Sequence, residues 1–153
     1  MTKPTKIPTI ENCVSDFDAL FIPSNRDDRK RFIIDKLSKY KNKTIKNIST
    51  GVAIKVIKDC IGETGQHASI DKESTISALN LENLLTYSVI FRENLEPKPN
   101  QNQDYKFVEM IEFRCKIKGL GTSKIMVGKR ASGKHFEYCI TRIDKQKKRQ
   151  GKS

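Results

Sequence analysis

The chain has 153 residues, enough for one domain with a hydrophobic core, because chains of this size bury most of their apolar surface. Its formal charge of +12 favours nucleic acid, anionic lipid or an acidic protein as the partner. No apolar run approaches the roughly 20 residues of a membrane span, and the N-terminus lacks the apolar core of a secretory signal. We therefore expect a soluble, cytoplasmic protein with no membrane span.

Both ends of the chain are predicted to lie outside the domain. Residues 1–15 contain two prolines and few core-forming side chains, which predicts a flexible leader. Residues 145–153 hold five positive charges and no apolar side chain, which predicts a disordered basic tail. About +7 remains without that tail, so the rest of the chain is basic as well. Residues 16–144 are then predicted to form a single domain.

The first half of the domain has mainly helical patterns. Ser24 and Asn25 are good N-cap residues for a first helix that is expected to end near residue 40. Residues 43–48 alternate isoleucine with polar residues, which indicates a short strand. Residues 52–61 are apolar on most of a helix surface, so we predict a second, buried helix between Thr50 and the glycines at 62 and 65.

A third helix is predicted from residue 72 to about residue 79, because Asp71 can cap its first turn. Apolar residues continue at helical spacing from there to residue 90. Residues 93–104 are polar and contain two prolines, which predicts a loop.

The last third, residues 105–144, contains three segments whose apolar residues recur at close to every second position. Glycine-containing turns separate them, so we predict a three-stranded antiparallel meander with one buried face. Helices first and strands last indicate an α+β fold. We expect N-terminal helices packed on a C-terminal three- to four-stranded antiparallel sheet.

Basic residues are expected on the opposite face of this sheet, where they form a plausible surface for phosphate groups. Solvated sheet faces are also often basic by chance. The residues assigned to RNA binding are Arg114, Lys116, Lys118, Lys124, Lys129, Lys134 and Arg142.

The same strands carry side chains suited to RNA cleavage without a metal. That reaction needs a base for the 2′-hydroxyl, cations for the pentavalent phosphorane and an acid for the leaving oxygen. The candidate catalytic residues are His67, Arg130, His135, Tyr138 and Thr141. His67 is expected in a loop after the second helix, and His135 at the start of the last strand. Each histidine also fits an ordinary surface position.

Metal and cofactor sites have little support in the sequence. The four cysteines are widely spaced and form no CxxC, so zinc is not expected. The glycines at 62–65 and 119–121 form neither a Walker loop nor a dinucleotide fingerprint. We expect no cofactor.

The order of elements resembles the nuclease group that includes barnase, EndoU, colicin and RelE-like domains. This order is a strand at 44–48, Thr50 and Gly51 opening an apolar helix, His67 after it, a further helical stretch and the meander. The likeness is greatest to the branch from phages and conjugative elements that is associated with large polyvalent proteins, whose sheets carry lines such as IEFRCKIKGLGTSKIMVGKRASGKHFEYCITRI. It covers residues 43–144.

The resemblance implies an α+β ribonuclease with its active site on the concave sheet face beside the helices. It assigns His67 as the helix-end base, Arg130 and Lys124 as phosphate-binding cations, and Tyr138 or Thr141 as the last-strand hydroxyl, with His135 as the alternative acid. It also implies a toxin-like, mobile-element role, with tRNA or another structured RNA as substrate and a cognate immunity or inhibitor protein as partner.

We therefore predict a metal-independent endoribonuclease that acts by 2′-hydroxyl attack and leaves a cyclic phosphate. The alternative is a non-catalytic basic module of a phage or conjugative element that holds nucleic acid or a protein. Sequence-independent DNA binding is less well supported, because no helix has the basic face of a recognition helix.

Overall fold

The structure is a computed structural model that describes residues 6–143. Within this range, six α-helices and a seven-stranded sheet form the predicted α+β fold. The helices are α1 (Asp16–Ala19), α2 (Arg26–Leu37), α3 (Lys58–Ala68), α4 (Lys72–Leu79), α5 (Leu81–Tyr87) and α6 (Pro99–Tyr105). The strands are β1 (Thr9–Ile10), β2 (Thr44–Lys46), β3 (Ala53–Lys55), β4 (Val89–Leu95), β5 (Phe107–Ile117), β6 (Gly121–Arg130) and β7 (His135–Arg142).

The sheet has the strand order β1-β5-β6-β7-β3-β2, and β4 also pairs with β5. Strands β5, β6 and β7 form the predicted antiparallel meander, whereas β1 pairs with β5 and β3 pairs with β7 in parallel. The predicted three- to four-stranded antiparallel sheet is thus too small, and the true sheet is mixed. Strands of two or three residues are too short to show an alternation in sequence.

Two helices begin where the sequence predicts. The side chain of Asn25 accepts a hydrogen bond from the Asp28 amide at the start of α2. The side chain of Asp71 does the same for the Ser74 amide at the start of α4, over 2.7 Å. Such caps satisfy amides of the first helical turn that have no partner within the helix.

The predicted second helix is wrong in its position. Residues 53–55 form β3, and α3 begins only at Lys58 and continues through both glycines to Ala68. Gly65 lies against α2, where an added Cβ would stand 2.9 Å from Ile34 Cγ1. This glycine therefore permits close helix packing and does not end the helix.

The segment before the meander also differs from the prediction. Helical spacing ends at Tyr87, and residues 89–95 form β4 along the edge of β5. The predicted loop at 93–104 contains α6, whose first residue is Pro99, a position where the missing amide costs nothing.

The prediction of a flexible leader over residues 1–15 is also partly wrong. Thr9 and Ile10 pair with Lys116 and Ile117 of β5, so residues 9–10 belong to the sheet. The Cys13 amide donates a 2.9 Å hydrogen bond to Asn80 Oδ1. Residues 1–5 and the predicted tail at 145–153 lie outside the described residues. Across residues 6–143, no helix is long and apolar enough to cross a membrane.

Each face of the sheet carries an apolar layer. Helices α2 to α5 pack on one face, here called the helix face, and bury Leu84, Phe113 and Ile140 in the main core, while α3 also contributes to the opposite face. The opposite, outer face is covered in part by α6. The outer cluster there comprises Cys60, Tyr105, Phe107, Met110, Phe136, Tyr138 and Cys139. The uncovered remainder of the outer face is where a cleft forms.

Candidate functional site

A cleft of about 680 Å³ lies on the outer face, between α3 and the segment that joins β4 to α6. Strands β5, β6 and β7 contribute its floor. Its lining includes Glu63 and His67 of α3, Lys124 of β6, and Tyr138, Cys139 and Thr141 of β7. Clefts of this volume are typical of sites for small molecules and parts of larger ligands.

The imidazole of His67 is placed by a carboxylate one helical turn earlier. His67 Nε2 lies 3.6 Å from Glu63 Oε1, and the hydroxyl of Tyr105 donates a 2.8 Å hydrogen bond to Glu63 Oε2. Burial and the hydrogen bond with Glu63 raise the pKa of Tyr105, so this phenol stays protonated. The carboxylate is thus held between a buried phenol and the half-exposed histidine.

The helical position of His67 depends on the length of α3. The sequence predicts this histidine in a loop beyond the glycines, whereas it lies in the last turn of α3. Only a continuous helix brings residues 63 and 67 to the same side. The sequence does contain a signal for this pair, because residues four apart, such as Glu63 and His67, lie on the same side of a helix. That signal applies only if the predicted helix continues through Gly65.

Strands β6 and β7 contribute an ammonium and a hydroxyl side by side. Lys124 pairs with Thr141 across the two strands, and directly paired residues point to the same face. Both line the cleft. The cleft therefore has a cation next to a hydroxyl on its floor.

Tyr138 enters the cleft through an irregularity in β7. Met126 pairs with Cys139, and Val127 pairs with Glu137, so Tyr138 is an extra residue between the two pairs. Its hydroxyl accepts a 3.3 Å hydrogen bond from Asn100 Nδ2 of α6. Burial and the nearby Glu63 carboxylate raise the pKa of Tyr138, which keeps the phenol a proton donor. Bulges often aim a side chain into a site in this way.

Arg130 and His135 do not lie in this cleft. Arg130 is six residues beyond Lys124 on β6, a distance of about 20 Å along a strand. Its Nε donates to the Tyr105 carbonyl over 2.9 Å, and its guanidinium carbon lies 4.2 Å from the Phe136 ring centroid. His135 pairs with Lys129 and lines a separate depression beside β3. Burial and the charge of Lys129 lower the pKa of His135.

The basic residues predicted for RNA binding do not share one face. Arg114, Lys116 and Lys124 lie on the outer face, where Arg114 pairs with Lys124 across β5 and β6. Arg142 pairs with Ser123, a buried residue of the helix face, and donates a 2.6 Å hydrogen bond to the Leu120 carbonyl. Strand register decides these directions, since a shift of one residue moves a side chain to the other face.

The remaining cations of that set lie near the ends of strands. Lys118 Nζ lies 3.9 Å from Glu11 Oε2, and Lys129 Nζ lies 3.9 Å from Glu109 Oε1. These carboxylates partly offset the positive charges of the two lysines. Lys134 is exposed in the turn before β7. These three do not line the cleft.

The buried carboxylate of Glu112, which the sequence did not single out, holds two arginines in place beside the cleft. Glu112 Oε1 accepts a 2.7 Å hydrogen bond from Arg92, and Oε2 accepts one of equal length from Arg114. Burial by itself raises the pKa of Glu112, but the two guanidinium groups outweigh it and hold the pKa below its ordinary value. Arg92 also lines the cleft. Alternation alone gives no sign of such a charged group in mid-strand.

Side chains that could bind a metal are dispersed. Among residues 6–143, no group of three or more His, Cys, Asp or Glu is placed to hold a metal ion. The four cysteines are free thiols, and Cys13 is the exposed one.

Comparison with known proteins gives no relative for this chain: no family model, no curated protein and no solved structure matches it. The resemblance to the barnase, EndoU, colicin and RelE-like group therefore stays a prediction.

Proposed function

We propose that the protein is a metal-independent endoribonuclease whose active site is the outer-face cleft. The observation that carries this proposal is the convergence of His67, Lys124, Tyr138 and Thr141 from α3, β6 and β7 in one cleft. An imidazole, an ammonium and a protonated phenol can supply the base, the cation and the acid that metal-free cleavage of RNA requires.

His67 is the base in this proposal. Its imidazole removes the proton from a ribose 2′-hydroxyl, and the 2′-oxygen then attacks the adjacent phosphorus. Glu63 lies 3.6 Å from Nε2, which orients the ring and stabilises the imidazolium that forms. Because Tyr105 holds the other oxygen of Glu63, the carboxylate has little freedom to turn away.

Lys124 and Tyr138 complete the reaction. The ammonium of Lys124 stabilises the charge that develops on the non-bridging oxygens of the phosphorane. The hydroxyl of Tyr138 donates its proton to the departing 5′-oxygen, and Thr141 donates a hydrogen bond to the phosphate. The products are a 2′,3′-cyclic phosphate and a 5′-hydroxyl, with no metal required.

The two histidines of the chain provide a matched test. We would incubate total RNA with the protein in excess EDTA and map the 3′ ends of any fragments. His67→Ala should abolish discrete cleavage, whereas His135→Ala should retain it because His135 lies outside the cleft. Cleavage that survives His67→Ala, or that stops when EDTA is added, would contradict the proposal.

The second candidate is a non-catalytic nucleic-acid-binding module of a mobile element. The observation in its favour is the distance of Arg130, the expected second phosphate-binding cation, from Lys124. RNA that shifts on a gel but stays intact at all protein concentrations would support this candidate.

The endoribonuclease proposal includes a toxin-like role. A structured RNA such as tRNA would then be the substrate, and a cognate immunity or inhibitor protein would be a partner. Arrest of growth on expression of the wild-type chain, absent with His67→Ala, would support this role.

A further inference from the structure

Strand β4 has an irregularity that places an aromatic ring on the outer face. Ile90 pairs with Phe113 and Arg92 pairs with Glu112, so Phe91 is the extra residue of a bulge. The ring of Phe91 contacts Arg114, and Arg92 bonds Glu112. Two consecutive side chains thus share the outer face, which a regular strand does not allow.

The Phe91 ring packs against an arginine yet stays partly open to solvent. The guanidinium carbon of Arg114 lies 3.5 Å from the centroid of the Phe91 ring, and Arg114 is itself fixed by its hydrogen bond to Glu112. Even so, 47% of Phe91 is exposed. An aromatic side chain that already packs against a neighbour loses little further conformational entropy when a flat ligand stacks on it.

Basic side chains lie between the Phe91 ring and the cleft. Arg92, next to Phe91 in sequence, lines the cleft, and Arg114 pairs with Lys124 on its floor. Strands β4, β5, β6 and β7 are neighbours, so Phe91 and Tyr138 lie about 15 Å apart across three strand spacings. Exposed aromatic rings along a basic surface are typical of sites for single-stranded nucleic acid.

We propose that Phe91 is a stacking platform for an unpaired base, and that the ligand of the cleft is single-stranded RNA or an unpaired loop. The placement of the scissile bond rests on the proposed function, whereas the stacking itself needs no cleavage. Bases in an A-form duplex are already stacked on one another and present no free face to the ring. Arg92 and Lys124 then contact phosphate groups of the RNA strand on either side of the stacked base.

The test uses a single-stranded RNA that carries 2-aminopurine, a base whose fluorescence falls when it stacks. Binding is measured in a His67→Ala background, so that the RNA stays intact. Phe91→Leu, which keeps apolar bulk but has no ring, should weaken binding roughly 10-fold and abolish the quenching. Phe91→Trp should retain both. A duplex of the same sequence should bind more weakly and be insensitive to either change.

Tyr87 provides the control, because it is an aromatic residue with the same exposure of 47% but ends α5, a helix packed on the opposite face of the sheet. Tyr87→Leu should leave binding and quenching unchanged. Equal binding by Phe91→Leu and its parent, equal affinity for duplex and single strand, or no binding of single-stranded RNA would each overturn the proposal.

The outcome is separable from that of the proposed function. Ring-dependent stacking in a protein that cuts no RNA would sustain the platform and reject the nuclease. Cleavage lost with His67→Ala while Phe91→Leu binds normally would sustain the nuclease and reject the platform.

Discussion

Thr64 of α3 donates a 2.6 Å hydrogen bond to the Oε2 atom of Glu137 on β7, with both side chains fully buried. The other oxygen, Oε1, has no hydrogen-bond partner within residues 6–143. Burial raises the pKa of Glu137 to about 8, so the fold accommodates the protonated acid. Because Thr64 follows Glu63 and Glu137 precedes Tyr138, this bond links α3 and β7, two of the elements that form the cleft.

Stability should therefore fall as the pH rises. The pKa of Glu137 is above its ordinary value of 4.5, so the folded state holds the proton more tightly than the unfolded chain. The contribution of this group is complete below the ordinary pKa and is lost as the pH approaches the folded pKa. Between about pH 5 and about pH 8, the free energy of unfolding should fall by a few kcal/mol, at up to about 1.4 kcal/mol per unit.

Glu137→Gln should remove that dependence, because the amide mimics the protonated acid and cannot ionise. Urea denaturation at the two pH values measures the effect. Glu11→Gln is the control, since the Glu11 side chain is 85% exposed. An unchanged pH dependence in Glu137→Gln would contradict the assignment.

Glu112 should contribute to stability in the opposite pH direction. Its pKa is held below the ordinary value, so its contribution is present above the ordinary pKa and is lost as the pH falls through the folded pKa. Glu112→Gln should cost about 1–3 kcal/mol at neutral pH, because Arg92 and Arg114 lose a charged partner. The cost should shrink in acid. An equal cost at both pH values in denaturation experiments would show that packing, and not charge, is responsible.

Gly128 should tolerate no side chain. A Cβ there would meet the ring of Phe107 at 2.3 Å, and Phe107 is fully buried. We expect Gly128→Ala to destabilise the protein by about 1–3 kcal/mol through overpacking of the outer cluster. Gly62→Ala is the matched control, because an added Cβ inside α3 meets nothing within 4 Å. That change should be neutral or stabilise by about 0.5–1 kcal/mol. Thermal unfolding of both variants decides the question.

Lys124 should affect the rate of cleavage, and Lys116 only the affinity for RNA. Both lie on the outer face, but Lys124 alone lines the cleft. Lys124→Gln should lower kcat roughly 100-fold, because the transition state loses a fixed cation. Lys116→Gln should leave kcat unchanged and raise KM modestly at low salt. Steady-state kinetics on one RNA measure both values, and equal losses of kcat would exclude Lys124 from the site.

Local signals in the sequence predicted several elements correctly. Asn25 and Asp71 mark the first turns of α2 and α4, and near-regular alternation marks the three strands of the meander. These signals succeed because a cap and a strand face are each encoded within a few neighbouring residues. They fail for β3, whose three residues lie within an apolar stretch, because periodicity alone does not distinguish a short buried strand from a buried helix.

The sequence by itself determined the fold class, the basic charge and the chemical types of the candidate site: a histidine, a lysine, a tyrosine and a threonine. Only the tertiary structure decided which of them meet. Gly65 allows α3 to pack closely against α2, and the continuous helix sets His67 beside Glu63. The extra residue at Tyr138 turns that phenol into the cleft, while strand length separates Arg130 from Lys124. Convergence depends on register, bulges and helix packing between segments far apart in the chain, which residue spacing does not encode.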